Sequence, residues 1–233
     1  MNPYQSLKEE AWEANMQLPA RGLVLYTFGN VSAIDRDQGV FAIKPSGVSY
    51  DVLKAEDMVV LDLNNQIVDG SLNPSSDTKT HSVLYREFPE IGGVVHTHST
   101  YATAWAQAQR PIPIFGTTHA DHLAGDIPCT AIMEDAAIER DYEEETGNQI
   151  LDAFRDLDYK EVQMVLVAGH GPFTWGDSAA KAVYHAVVLE ELAQMACLTE
   201  RINPKTSRLK QSLIDKHYFR KHGKNATYGQ KQD

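Results

Sequence analysis

Helix-like and strand-like spacings of hydrophobic residues alternate along this chain of 233 residues. A first helix is predicted near the amino terminus, with Pro19 at its end, because apolar residues recur there every three or four positions: Leu7, Ala11, Ala14 and Leu18. Further helices are predicted after Ser76, at residues 100–109, 142–154 and 207–223, and from an Asp177-Ser178 cap to about Ile202.

Short apolar runs separate these helices and predict strands. Three runs, at residues 23–28, 39–47 and 58–63, end in turn-forming residues. Two more, at residues 91–95 and 162–168, lead into histidines. Because strands and helices mix without a strict strand-helix-strand repeat, we expect one α/β domain over residues 1–233, with a central sheet covered by helices on both faces.

Composition limits the classes of function. A hydrophobic content of 42% allows one sizeable core, and the formal net charge of -11 argues against a nucleic-acid backbone or an anionic membrane as partner. Two distant cysteines, no signal peptide at the polar amino terminus and no apolar run of about 20 residues predict a soluble, cytoplasmic protein. The net charge does not exclude a small anionic substrate, because the charge around the binding site decides whether such a substrate binds.

Three histidines have the spacing of a divalent metal site. His96 and His98 end a short β-branched run, and residues two apart in a strand point to the same face. His170 follows a second such run, so two strand ends can bring three imidazoles together. The alternative is that His96 and His98 are half-exposed strand histidines without a metal.

Asp77 is the candidate fourth ligand. It stands directly before a predicted helix, where the alternative role is a helix cap. Three imidazoles and one carboxylate suit Zn²⁺ best, with Mn²⁺ or Co²⁺ as other options, since neither cysteine takes part.

Several loops have the composition of an anion site. Lys44 lies two residues before Ser46, and small residues stand at predicted strand or helix ends, where backbone N–H groups can bind phosphate or simply form turns: Gly29-Asn30, Ser46-Gly47 and Ser75-Ser76. The carboxy-terminal residues 201–224 are basic in an otherwise acidic chain. They either capture phosphate or pair with the acidic residues 134–145, within one chain or across a subunit contact.

Eight segments together resemble the L-ribulose-5-phosphate 4-epimerases, a family of the class II aldolase and adducin-head superfamily. The segments cover essentially the whole chain: GNVSAID from Gly29, KPSGVSY from Lys44, PSSDTKTH from Pro74, GGVVHTHSTYATAWAQA from Gly92, GTTHADH from Gly116, IPCT from Ile127, HGPFTWG from His170 and DKHYFRKHGKNATYGQ from Asp215.

The resemblance implies a three-layer α/β/α fold with a mixed, largely antiparallel sheet. It also implies a homotetramer with interfacial active sites and one Zn²⁺ per site. The metal ligands would be Asp77, His96, His98 and His170. The contacts to substrate phosphate would be Gly29, Asn30, Lys44, Ser46, Gly47, Ser75 and Ser76.

By the same resemblance, Asp121 and Tyr228 are the paired acid/base groups, and a neighbouring subunit supplies Tyr228. His217 and Arg220 would line the site from that neighbour, so that residues 207–233 complete a neighbouring active site. Without the resemblance, each residue has an alternative role. Asp121 could hydrogen-bond to the neighbouring backbone, and Tyr228 could be a surface residue near the chain terminus.

The implied activity is the interconversion of L-ribulose 5-phosphate and D-xylulose 5-phosphate, two phosphorylated ketopentoses, by retro-aldol cleavage and re-addition. The first alternative is an aldolase acting on a sugar 1-phosphate. Related aldolases carry a glutamate at the position of Asp77, and the shorter side chain favours the epimerase. A noncatalytic adducin-like head need not retain the three histidines, and a zinc hydrolase is disfavoured because no HExxH motif is present.

Overall fold

The computed structural model describes residues 2–222 and residue 226, and its centre is a seven-stranded sheet. The strands are Asn30–Asp35 (β1), Val40–Ile43 (β2), Val59–Asp62 (β3), Ile67–Asp69 (β4), Gly93–His96 (β5), Met164–Leu166 (β6) and Pro172–Gly176 (β7). They lie in the order β4-β3-β2-β1-β5-β7-β6, and each neighbouring pair is antiparallel.

Helices cover both faces of this sheet. They are Gln5–Ala20 (α1), Thr78–Glu87 (α2), Thr100–Gln107 (α3), Thr117–Ala120 (α4), Asp135–Ala153 (α5), Ala179–Ile202 (α6) and Gln211–His222 (α7). Over the part of the chain that the structure describes, none of these helices combines the length and apolar character needed to cross a bilayer.

Alternation of side chains along the strands produces two cores. On β2, Val40 and Ala42 pack with α1 and the start of α6, while Phe41 and Ile43 pack with α2 and α5 on the opposite face. A third apolar cluster lies between α3, α6 and β6. The prediction of one three-layer α/β/α domain is confirmed, and the sheet, which was expected to be mixed and largely antiparallel, is antiparallel at every neighbouring pair of these seven strands.

The predicted strand at residues 23–28 is wrong. This segment is a loop, in which Leu25 and Tyr26 are 69% and 85% exposed and Tyr26 has a left-handed φ of 53°. The strand begins only at Asn30, after the bend, and β1 then pairs with β2 and β5. The strand β1 therefore starts where the predicted strand was expected to end, and the apolar run did not predict it.

Pro19 lies in the last turn of α1, which ends one residue later, so the predicted end of this helix is confirmed. The acidic helix differs from the pattern, because it starts at Asp135 and has a non-helical residue, Asp141, inside it. The predicted cap of α6 is confirmed, because the Ser178 hydroxyl accepts a hydrogen bond of 3.3 Å from the backbone N–H of Lys181.

Candidate metal centre and anion pocket

The three predicted histidines meet at one end of the sheet. His96 is the last residue of β5, His98 follows it, and His170 lies in the turn between β6 and β7. One ring nitrogen of each lies within 4.8 Å of the others, and the Nε2 atoms of His96 and His98 are 3.0 Å apart. The prediction that two strand ends bring these imidazoles together is confirmed.

Hydrogen bonding leaves a lone pair of His96 directed at this cluster. Its Nδ1 lies 3.0 Å from the carbonyl oxygen of Pro172, so Nδ1 donates there and Nε2 faces His98. The imidazole also stacks on Phe173, with ring centroids 4.3 Å apart. Strand pairing and packing thus fix the orientation of the ring.

Two of the three imidazoles, those of His98 and His170, are kept in the neutral form. Burial, followed by the neighbouring His96, lowers the pKa of His170 to about 3. The same two causes, in the same order, lower the pKa of His98. Neutral imidazoles are the form that binds metal ions.

These residues fit a divalent cation. Nitrogen ligands about 2.0 Å from a tetrahedral Zn²⁺ lie roughly 3.3 Å apart, close to the separation of the two facing Nε2 atoms. Within the described part of the chain, the buried Nδ1 of His170 has no hydrogen-bond partner. Three converging imidazoles, one of them with an unsatisfied buried nitrogen, form the donor set that a metal ion would complete.

Asp77 lies beside the histidines but outside the group of nitrogens within 4.8 Å. Its side chain makes no capping bond to α2, so the alternative role as a helix cap is not seen. The Asn30 amide instead donates to its carboxylate at 2.6 Å. Burial opposes ionisation, yet the nearby His96 and His81 together with Asn30 hold the pKa of Asp77 below its ordinary value. The carboxylate is therefore kept ionised next to three imidazoles.

The predicted anion loops surround the same cavity. This cavity has a volume of about 490 Å³, and its wall contains all the predicted metal ligands and phosphate contacts: Gly29, Asn30, Lys44, Ser46, Gly47, Ser75, Ser76, Asp77, His96, His98 and His170. The antiparallel pairing of β1 with β5 brings Asn30 opposite His96 and so joins the first loop to the metal ligands.

Lys44 is the buried cation of this cavity. It is 2% exposed, its Nζ donates only a long bond of 3.4 Å to the Pro45 carbonyl, and no ion pair within residues 2–222 involves it. Burial lowers its pKa to about 8. A buried cation without a protein carboxylate is a ready partner for an anionic ligand.

Sequence patterns did not reveal two further residues of the cavity, Tyr142 and Glu143. They follow the break in α5 at Asp141, which pairs with Lys79 of α2. Thr80 also donates to the Glu143 carbonyl at 2.6 Å. The acidic run predicted a helix, and only the tertiary contacts with α2 bring these side chains to the histidines.

The predicted acid/base residue Asp121 lies in a different place. At the end of α4 it meets α7, where His217 and Arg220 donate to its carboxylate at 2.9 and 3.0 Å. Burial opposes ionisation, but these hydrogen bonds and the nearby Lys221 lower the pKa of Asp121. The carboxylate therefore interacts with side chains of α7, and the alternative of bonding to neighbouring backbone is not what is observed.

Asp121 lines a second cavity, of about 540 Å³, together with His122, Tyr184 and Lys221, and not the cavity of the histidines. Part of the basic carboxy-terminal region thus pairs with Asp121, and Arg208 pairs with Asp126. Tyr228, the other predicted acid/base residue, lies outside the described residues.

Gly29 is required where β1 approaches β5. Its φ is 73°, and a Cβ there would lie 2.8 Å from Cγ1 of Val24 and 2.9 Å from the carbonyl oxygen of His96. Gly22 has nearly the same φ, 68°, but a Cβ there would meet nothing within 4 Å. Comparing substitutions at the two glycines distinguishes the free-energy cost of a left-handed conformation from that of a steric clash.

We expect Gly29→Ala to lower the free energy of unfolding by about 2–4 kcal/mol, since the clash adds to the left-handed penalty of about 1 kcal/mol. Gly22→Ala is expected to cost only the latter. Urea denaturation of both variants measures this difference. Equal losses in the two variants would mean that the contact of Gly29 with His96 is not restrictive.

Comparison with known proteins identifies the family. A family model described as the class II aldolase and adducin N-terminal domain matches residues 9–197, so the chain belongs to this family. An L-fuculose 1-phosphate aldolase of known structure is 24% identical, with a TM-score of 0.76 over 91% of this chain and 94% of that one. YgbL from Klebsiella pneumoniae is 26% identical, with a TM-score of 0.72 over 91% and 97%.

A third solved structure shows the same likeness. The L-fuculose-1-phosphate aldolase from Thermus thermophilus is 24% identical, with a TM-score of 0.65 over 87% of this chain and 98% of that one. These likenesses confirm the class II aldolase-like fold, and the family match confirms the superfamily that the sequence motifs resemble.

Proposed function

We propose that this protein is a metal-dependent 4-epimerase that interconverts L-ribulose 5-phosphate and D-xylulose 5-phosphate. The observation that carries the proposal is one cavity that combines three converging imidazoles and Asp77 with the three small-residue loops and the buried Lys44, which has no carboxylate partner within residues 2–222. Such a cavity can hold a divalent cation and a phosphate at the same time.

The chemistry of the substrate determines which groups the reaction needs. Carbon 4 of a 2-ketopentose carries no acidic proton, because the carbonyl lies two carbons away. Removing the proton of the C4 hydroxyl instead allows the C3–C4 bond to break, which gives a dihydroxyacetone enediolate and glycolaldehyde phosphate. Rotation of the aldehyde and re-addition then form the opposite configuration at C4. The sequence of steps therefore needs one acid/base group on each face of the aldehyde.

Each group of the cavity has a role in this scheme. His96, His98, His170 and Asp77 would hold Zn²⁺, with Mn²⁺ or Co²⁺ as other candidates. When bound, the cation supplies a Lewis acid for the negative charge that develops on the carbonyl fragment. Lys44 and the three loops would hold the phosphate, which keeps the intermediate aldehyde from leaving.

We assign Asp121 and Tyr228 as the two acid/base groups. Tyr228 would act on the L-ribulose 5-phosphate side and Asp121 on the D-xylulose 5-phosphate side. His217 and Arg220 would keep the Asp121 carboxylate oriented through the bonds seen in the chain.

In this proposal the active site forms between copies of the chain, in a homotetramer. Asp121 lines a cavity separate from that of the histidines, so Asp121 reaches bound substrate only from another copy. The rim of the histidine cavity supports such a contact, because Phe28 in its wall is 53% exposed, and Leu25 and Tyr26 of the same loop are 69% and 85% exposed. Large exposed apolar side chains at a cavity mouth are typical of a protein interface.

The main alternative is an aldolase for a sugar phosphate, the activity that names two of the similar structures. Asp77 favours the epimerase, because Asn30 holds its short side chain at the wall of the cavity. A noncatalytic adducin-like role is disfavoured by the retained, converged histidines.

Product analysis tests the proposal. Purified protein incubated with L-ribulose 5-phosphate is expected to form D-xylulose 5-phosphate, to stop after chelation and to recover with added Zn²⁺. Dihydroxyacetone and glycolaldehyde phosphate as main products would indicate an aldolase. Absence of turnover together with absence of bound metal would favour a binding domain.

The buried Lys44 predicts the alkaline limit of activity. Its pKa of about 8 means that the free enzyme loses the phosphate-binding charge as the pH rises through that value. We therefore expect kcat/KM to fall about tenfold per pH unit above pH 8, measured with L-ribulose 5-phosphate. In Lys44→Met, kcat/KM should be low at every pH, and its decrease above pH 8 should be absent. An unchanged alkaline limb in Lys44→Met would assign the titration to another group.

A further inference from the structure

Tyr50 lies behind the proposed phosphate site without being part of its wall. The residue is 4% exposed and does not line the cavity of the histidines. Its hydroxyl lies 2.9 Å from the Gly29 carbonyl oxygen and 3.1 Å from that of Phe28. Its ring lies under Lys44, with Nζ 4.9 Å from the centroid.

The hydrogen bonds of the Tyr50 hydroxyl and the contact of its ring with Lys44 both hold neighbouring groups in place. Burial raises the pKa of the Tyr50 hydroxyl, so the group stays protonated and donates to the loop carbonyls. The aromatic face attracts the Lys44 ammonium, which has no carboxylate partner within residues 2–222. Tyr50 thus hydrogen-bonds to the turn at Gly29 and makes a cation–π contact with Lys44. These two segments adjoin different strands and meet at the proposed phosphate site.

The bond to Gly29 matters because that residue has little room to adjust. A Cβ at Gly29 would already clash with His96, so this turn approaches β5 as closely as a glycine allows. Asn30, the next residue, holds Asp77. A shift of the turn would therefore displace the N–H groups of the loop relative to Lys44.

We infer that Tyr50 is a positioning residue for phosphate, which sets the Gly29 turn and the Lys44 ammonium at a fixed separation. This role rests on the proposed function, since it presupposes that the cavity binds a phosphate. Tyr50 touches no substrate atom and acts through Gly29 and Lys44.

Two substitutions separate the two contacts. Tyr50→Phe removes the hydroxyl and keeps the ring, and Tyr50→Leu removes both. Tyr85→Phe is the matched control, because it removes another buried hydroxyl, which lies 2.7 Å from Ser32 Oγ and away from the cavity wall. The zinc-loaded full chain is titrated with inorganic phosphate by calorimetry, and kcat, KM and zinc content are measured with L-ribulose 5-phosphate as substrate.

We expect Tyr50→Phe to weaken phosphate binding and raise KM about threefold to tenfold, the usual effect of one buried hydrogen bond. Tyr50→Leu should weaken binding by about a further threefold, because the cation–π contact is also lost. Zinc content and kcat should stay near those of the wild type, and Tyr85→Phe should bind phosphate normally. A purely structural role would instead lower stability and the active fraction while leaving KM and the phosphate affinity unchanged.

Wild-type phosphate affinity in Tyr50→Phe and Tyr50→Leu would overturn the assignment while leaving the proposed function intact. If Tyr50→Leu does not fold, Tyr50→Phe alone decides. A wild-type protein that neither binds phosphate nor converts L-ribulose 5-phosphate would instead remove the proposed function, and the role of Tyr50 with it. The wild-type measurement therefore distinguishes the two failures before any variant is compared.

Discussion

Replacing His96 with asparagine is expected to remove bound metal and activity together. His96 is the most enclosed of the three histidines, and its Nδ1 bond to Pro172 fixes the ring so that Nε2 faces the cluster. Asparagine cannot place a nitrogen lone pair at that point. We expect less than about a tenth of the wild-type metal content and at least roughly a thousandfold loss of kcat/KM.

Metal analysis beside a turnover assay checks this result. His185→Asn is the matched control for metal content, because His185 is also buried and its Nδ1 lies 2.6 Å from a backbone carbonyl, that of Trp175. The control should retain full metal. Retention of stoichiometric zinc in His96→Asn, or turnover without metal, would show that the histidine cluster is not the metal centre.

Replacing Asp121 with asparagine is expected to remove most turnover but leave the metal in place. Asparagine has nearly the same shape and can still accept hydrogen bonds from His217 and Arg220, so the contact between α4 and α7 should persist. It cannot take up the proton of the C4 hydroxyl. We expect kcat to fall about 10²- to 10⁴-fold, the usual contribution of a general acid/base group.

Zinc content and the molecular mass from light scattering serve as controls for Asp121→Asn, because both should match those of the wild type. Mixing inactive His96→Asn and Asp121→Asn subunits then tests whether the site is shared. If each site takes its histidines and its Asp121 from different copies, random hybrids should regain activity in about a quarter of their sites. Hybrids without any activity would mean that both groups must lie on one chain. Wild-type kcat in Asp121→Asn would remove this residue from the mechanism.

Local patterns predicted the parts of the site that lie at strand ends. The two β-branched runs placed His96, His98 and His170, and small residues at turns marked the loops that line the same cavity, because these features depend on the residues next to them. Helix capping similarly placed the start of α6 at Ser178. The family resemblance added the fold class, which no local spacing could provide. The contact of Asp121 with His217 and Arg220 within one chain was found only in the structure, since the resemblance implies that His217 and Arg220 reach the site from a neighbouring subunit.

Tertiary contacts decided what the patterns missed. The apolar run at residues 23–28 has strand composition, but the left-handed turns at Tyr26 and Gly29 keep it out of the sheet. Tyr142 and Glu143 enter the cavity only because α5 breaks at Asp141 beside Lys79. The sequence patterns assigned no role to Tyr50, and its proposed role rests on two contacts made across the fold.

In the proposed reaction, one enzyme breaks and re-forms the C3–C4 bond of a ketopentose phosphate. Proton NMR of the zinc-loaded protein with L-ribulose 5-phosphate in D₂O follows the hydrogen at carbon 4 during this reaction. The proposal predicts D-xylulose 5-phosphate that retains protium at carbon 4, without accumulation of dihydroxyacetone, because the C4–H bond is never broken. Deuterium at carbon 4, dihydroxyacetone as the main product, or no conversion at all would contradict it.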